Sequence, residues 1–188
     1  FLIDVSGSMN EPDKLPLLRS AISMLVNKLQ PDDTVSIVTY AGEAGTVLEP
    51  TKVSDKAKIL NAVEALTPGG STAGEAGIRE AHRLAQNPFV KGGVNRIMPA
   101  AHGDFHVGQT DDGSLTRLVE EKRDSGVFLS VLGFGRGNLN DQMMQALAQN
   151  GNGTAAYIDT LQEAEKVLVE DASSTLFPIA KDVKIQVE

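Results

Sequence analysis

This sequence predicts a doubly wound, Rossmann-like α/β fold with a mainly parallel sheet, and three observations lead there. Short apolar or β-branched stretches alternate with longer ones whose apolar residues recur every three or four positions. Turns rich in Gly, Pro, Asn and Asp separate them, with no internal repeat and no low-complexity tract. The first stretch, Phe1-Leu2-Ile3, runs directly into Asp4-Val5-Ser6-Gly7-Ser8, an acid and two hydroxyls at alternate positions on a loop released by glycine.

Taken in order, residues 1–5 read as a strand buried on both faces and therefore central. Residues 12–30 carry Leu15, Leu18, Ile22, Leu25, Val26 and Leu29 on one helical stripe, with Pro12 and Pro16 at its entry. Pro31-Asp32-Asp33 turns the chain into a β-branched strand over 34–40. Residues 46–50 predict a short antiparallel edge strand stopped by Pro50, and Ser54-Asp55 an N-cap for a helix reaching about Leu66. A glycine-rich loop over 67–72 leads into a helix over 73–86. Residues 94–101 are expected to form a fourth strand, bulged or cut short near Pro99. A helix over 114–124 ends at Gly126, and 127–134 is a continuously apolar strand broken only by Ser130 and Gly133. A turn at 133–138, whose glycine spacing is not that of a phosphate-binding loop, leads into a helix over 141–149. A turn at 150–153, a strand over 154–158 and a closing helix over 160–176 complete the fold.

The composition bounds the function. With 188 residues, 41% hydrophobic and 22% charged, the chain suits one globular domain. A net charge of -8 excludes the basic footprint of a nucleic-acid binder and disfavours attachment to an anionic membrane surface. Without cysteine there is no disulfide or thiolate chemistry. The start at Phe1, inside a strand, reads as a piece cut from a longer protein, so any targeting segment or membrane attachment is expected outside this chain. Residues 1–177 are expected to form the domain, and 178–188 to open a following β-rich segment, because 182–188 alternates apolar with polar residues.

The chemistry gathers at the first loop. Asp4, Ser6 and Ser8 are three oxygen donors suited to a hard divalent cation, delivered at the carboxyl end of a strand, where doubly wound sheets bind ligands. Thr72 is a fourth oxygen on a distant loop. The plainer alternatives are that Asp4 and Ser8 cap the first helix and that Thr72 caps the helix following it. His82 reads as a surface or boundary residue, Met143 and Met144 as core filling, and Asp111-Asp112 and Glu120-Glu121 as solvated faces. His106 would join His102 as a zinc pair only on a helix.

The D-x-S-x-S run Asp4-Val5-Ser6-Gly7-Ser8, together with Thr72, resembles the metal-ion-dependent adhesion site of the von Willebrand factor type A family, over roughly residues 1–177. Within that family the chain looks most like the bacterial branch described as calcium-activated chloride channel homologues, a label that implies no pore here. The resemblance implies the family fold and a bound Mg2+ or Ca2+ held by Asp4, Ser6, Ser8 and Thr72. One position would stay open for an Asp or Glu carboxylate of a protein partner. It further implies a bacterial, extracytoplasmic or cell-envelope setting, a fragment monomeric by itself, and no catalysis. Where the family usually reads T-D-G, this chain has Ala101-His102-Gly103, with Asp104 the nearest acid. Three outcomes stay open: a weakened site, a preference moved towards Mn2+ or another transition metal by the imidazole, or replacement of the missing acid by Asp104. The competing functions are a metal-assisted phosphohydrolase with its nucleophile at Asp4, and a scaffold whose metal site has decayed.

Overall fold

The structure is a computed structural model and describes residues 1–41, 43–69, 74–102, 112–135 and 141–171. The first strand, β1 (Leu2–Asp4), is wholly buried and leads through a 3-10 turn at Gly7–Met9 into helix α1 (Leu15–Val26). Strand β2 (Thr34–Ala41) and antiparallel β3 (Glu43–Lys52) follow, then α2 (Lys56–Glu64) and α3 (Gly74–Gln86). The second half runs β4 (Arg96–Ile97), β5 (Pro99–His102), α4 (Asp112–Arg123), β6 (Phe128–Leu129), β7 (Val131–Phe134), α5 (Asp141–Asn150), β8 (Ala155–Ile158) and α6 (Leu161–Glu165).

Among the described residues six strands make one sheet in the order β3-β2-β1-β5-β7-β8, parallel throughout except for β3. The chain builds outward from β1 to β2 and β3 on one side and to β5, β7 and β8 on the other, so the order reverses between β1 and β5. In open α/β sheets that reversal leaves a crevice at the carboxyl ends of the two strands. Asp4 and His102 are the last residues of β1 and β5.

Alternation along β1 divides the core. Ile3 points into the layer built by Leu18 and Ile22 of α1, Ile59 and Val63 of α2 and Ala164 of α6. Leu2 points the other way, into Ile78 and Leu84 of α3, Leu118 and Val119 of α4 and Met144 and Leu147 of α5. Helices thus cover both faces, as the alternating pattern requires of a parallel sheet. Met143 and Met144 are buried in the second layer.

Several boundaries depart from the sequence reading. The edge strand is not short: β3 has ten residues and runs through Pro50. Val35 faces Thr51 and Ile37 faces Leu48, so Glu49 and Pro50 together oppose Ser36 in a bulge, and an edge proline there costs no ladder bond. Met98 interrupts the fourth strand, and Pro99 opens β5 rather than ending a strand, pairing with Leu2. Ser130 divides the apolar run over 127–134 in the same way, and β4 pairs with β6 just as β5 pairs with β7. Ser130 is buried, its hydroxyl accepts from Arg96 Nη1 at 3.1 Å, and its amide donates to the Ile97 carbonyl at 2.9 Å as the chain passes from one strand pair to the other. Helix α1 begins at Leu15, three residues after Pro12, and the Asp55 side chain makes no capping bond to α2. Thr160 does cap α6, accepting from the Glu163 amide at 3.1 Å, and the helix widens to looser turns over Lys166–Asp171. The expected strand over 182–188 lies outside the described residues.

Candidate metal site

Asp4 ends a central strand and is fully buried, an expensive place for a carboxylate. One oxygen, Oδ1, accepts the Ser6 amide at 2.8 Å, closing the loop back on the strand end. The other, Oδ2, lies 3.3 Å from His102 Nδ1. Ser6 is also buried, and its hydroxyl is 2.9 Å from that of Ser8, which in turn is 3.2 Å from His102 Nδ1. The four side chains therefore form an unbroken chain of neighbouring donor atoms at the crevice between β1 and β5. Neither serine nor Asp4 caps α1, whose N-cap is Lys14 and makes no side-chain capping bond, so the capping alternative is set aside.

Three features hold the loop in place. Met9, the last residue of the 3-10 turn, is fully buried in the α1 layer. The Val5 amide donates to the Tyr40 carbonyl at 3.3 Å, and the Val5 carbonyl accepts the Gly69 amide at 2.6 Å. That second bond ties the start of the Thr72 loop to the Asp4 loop. Lys14 Nζ donates to the Ser8 carbonyl at 3.1 Å and to Glu11 at 3.0 Å. Its stem crosses Gly135, where an added Cβ would meet Lys14 Cε at 3.0 Å and φ is +92°, a conformation that glycine adopts freely. Sequence reasoning missed this lysine, because nothing in its spacing distinguishes it from a surface residue.

The electrostatics fit a cation. Among the described residues Asp4 has no lysine or arginine within ion-pair distance, and its only ionic neighbour is His102. The Tyr40 phenol beside it is pushed well above its usual pKa, first by burial and then by the Asp4 charge. A divalent ion would compensate a buried carboxylate so placed, and the neighbouring hydroxyls and imidazole would offer it further donors. Among the described residues no group of three or more His, Cys, Asp and Glu side chains gathers as a metal cluster; the donors here are mostly hydroxyls. Thr72, Asp104, His106 and Asp111 lie outside the described residues. His82 is not at the surface: it is 2% exposed, a correction whose cause is its place on the buried stripe of α3. A cleft of about 410 Å3 opens at the opposite, amino-terminal end of the sheet, lined by Leu29, Thr34, Pro88, Arg96 and Met98, and shares no residue with the site.

Comparison with known proteins agrees with this architecture. The chain is 46% identical over its whole length to the Escherichia coli (strain K12) protein YfbK, of which it spans 33%. An aerotolerance-related membrane protein from Bacteroides fragilis superposes with a TM-score of 0.73 at 25% identity, covering 92% of this chain and 96% of that one. Proximal thread matrix protein 1 from the mussel byssus, solved with zinc in its MIDAS motif, shares the fold with a TM-score of 0.71 at 19% identity over 94% of this chain and 44% of that one. Among the described residues no helix is long and apolar enough to cross a membrane. A family profile match over residues 1–170, on top of this fold, leaves one conclusion: the chain belongs to the von Willebrand factor type A domain family.

Proposed function

We propose that this domain is a metal-ion-dependent protein-binding module that catalyses nothing. Asp4, Ser6, Ser8 and Thr72 would hold a divalent cation and leave one position for an Asp or Glu carboxylate of a protein partner. The observation that carries this reading is Asp4: a fully buried carboxylate at the reversal of the sheet, against an imidazole that the Ser8 and Ser6 hydroxyls continue, and paired with no lysine or arginine among the described residues. Thr72 follows Gly69 by three residues, a span of at most ~11 Å, and Gly69 is bonded to the site loop.

The bound cation supplies a concentrated positive charge to a partner's acid, which the acidic surface of the chain would otherwise repel. The protein's own residues do the rest: the strand ends fix where the donors stand, Ser6 and Ser8 offer uncharged oxygens, and Asp4 alone among the described donors brings a negative charge. A site neutralised so little retains attraction for an external carboxylate. Mg2+ and Ca2+ suit the oxygen donors, while His102 in place of the family aspartate either weakens the site or changes its ion.

The hydrolase alternative finds no support in the geometry. Ser8 Oγ and Asp4 Oδ2 both face the same nitrogen of His102, whereas a nucleophile relay needs serine on one ring nitrogen and the acid on the other. Ser6 also stands where phosphoryl transfer from Asp4 would want a second acid. A bacterial cell-envelope setting belongs to the same reading, supported by the Bacteroides membrane protein of like fold, with membrane attachment left to parts outside this chain.

The test is selection from a random peptide library with the divalent cation present. Wild type is expected to enrich Asp or Glu over Asn or Gln at one position, and chelation or Ser8→Ala to abolish the enrichment. Enrichment that survives chelation, or no acidic preference at all, would refute the proposal.

A further inference from the structure

We infer that His102 is itself a metal ligand and turns this site towards Zn2+ and away from Mg2+ and Ca2+. The inference rests on the cation-site reading above and adds the identity of the ion and the role of one residue.

The first ground is where the ring comes from. His102 closes β5, which is hydrogen-bonded to β1 on one side and to β7 on the other, with His102 opposite Phe134. The imidazole is thus delivered from the floor of the sheet, with only 20% of its side chain exposed, and not from a surface loop. The second ground is spacing. Ligands about 2.0–2.2 Å from one ion stand roughly 2.9–3.5 Å from their neighbours, whether the arrangement is octahedral or tetrahedral. Along the series Ser6, Ser8, His102, Asp4 the separations are 2.9, 3.2 and 3.3 Å. Each of these three neighbouring pairs is spaced as two ligands of one ion would be.

The third ground is a hydrogen-bonding conflict. With a proton on Nδ1 the ring must share one N–H between Asp4 Oδ2 and the Ser8 hydroxyl oxygen; without it, the ring accepts from Ser8 and turns a lone pair towards the carboxylate. A cation between the three atoms gives each of them a full partner. Imidazole nitrogen suits zinc and its neighbours in the transition series, whereas Mg2+ and Ca2+ take oxygen almost exclusively. Replacing a carboxylate by a neutral ring also removes a charge that a hard ion depends on.

Zinc outcompetes magnesium at most protein sites, so the informative quantity is a ratio. Metal-stripped wild type and His102→Asp are titrated calorimetrically with Zn2+ and with Mg2+, and the imidazole 15N resonances are followed during Zn2+ addition. The Zn2+ to Mg2+ affinity ratio is expected to be at least about tenfold higher in wild type, the scale on which the surroundings of a metal ligand act. The Nδ1 resonance of His102 should shift on zinc binding while that of His82 stays still. Zinc binding with an unmoved His102 resonance, or equal ratios in the two proteins, overturns the inference and leaves the cation site intact. Absence of heat and shift with every ion in both proteins overturns the cation site as well. If His102→Asp does not fold, the wild-type resonances decide the question alone.

Discussion

His82 shows how much one buried polar side chain can cost. It is 2% exposed on α3, and neither ring nitrogen has a hydrogen-bond partner among the described residues. Desolvation, helped by the Lys122 ammonium of α4, lowers its pKa from 6.5 to about 4. The unfolded chain therefore takes up this proton first, so stability is complete above pH 6.5 and is lost as the pH falls towards 4. The loss approaches roughly 3 kcal/mol at the acid end. Urea unfolding at pH 7 and at pH 4.5 should show a fall in wild type that is smaller by about 2 kcal/mol in His82→Leu. An equal fall in both would place the acid sensitivity elsewhere. The burial was legible after all, since Ile78, Ala81, His82 and Ala85 follow the three-and-four spacing of an inward stripe. The alternate spacing of Asp4, Ser6 and Ser8 was legible because an acid and two hydroxyls leaving an apolar strand have few structural uses. That His102 Nδ1 would stand against two of them was not, because it depends on the register of β5 against β1.

At the scale of elements, what the sequence disclosed was periodicity, and what it concealed was interruption. Each helix stripe and each buried strand stood out because a parallel sheet needs apolar runs on its strands and one apolar face on its helices. The breaks at Met98 and Ser130 and the bulge at Pro50 follow from pairing partners far along the chain, which no local window contains. The turn between α5 and β8 is the tightest of these long-range fits. An added Cβ on Gly153 would overlap the Leu129 carbonyl, while the Gly153 amide bonds the Ala148 carbonyl at 2.8 Å and holds the turn in place. Gly153→Ala is expected to destabilise the domain by about 2 kcal/mol or more, as overpacking does. Gly45, inside β3, has open space where its Cβ would be, so Gly45→Ala should be neutral or slightly stabilising. Denaturant midpoints of the two variants separate these outcomes; equal losses would contradict the steric account.

On the scale of the whole molecule, the site is a consequence of strand order. Because the sheet grows in both directions from β1, the ends of β1 and β5 lie side by side, and Asp4 and His102 meet although 98 residues separate them. The fold class was legible from the alternation of elements, and the rule that such sheets bind ligands at the reversal pointed to the place where Asp4, Ser6, Ser8 and His102 gather. The participation of Thr72 rests on resemblance and on the bond from Gly69 to Val5, because Thr72 lies outside the described residues. A crystal of the domain soaked in Zn2+, with data collected on both sides of the zinc absorption edge, tests all of this together. The expected result is an anomalous peak bonded to Asp4, Ser6, Ser8 and His102 with the Thr72 hydroxyl in the same sphere; no peak there, or a Thr72 hydroxyl remote from those donors, would contradict the account.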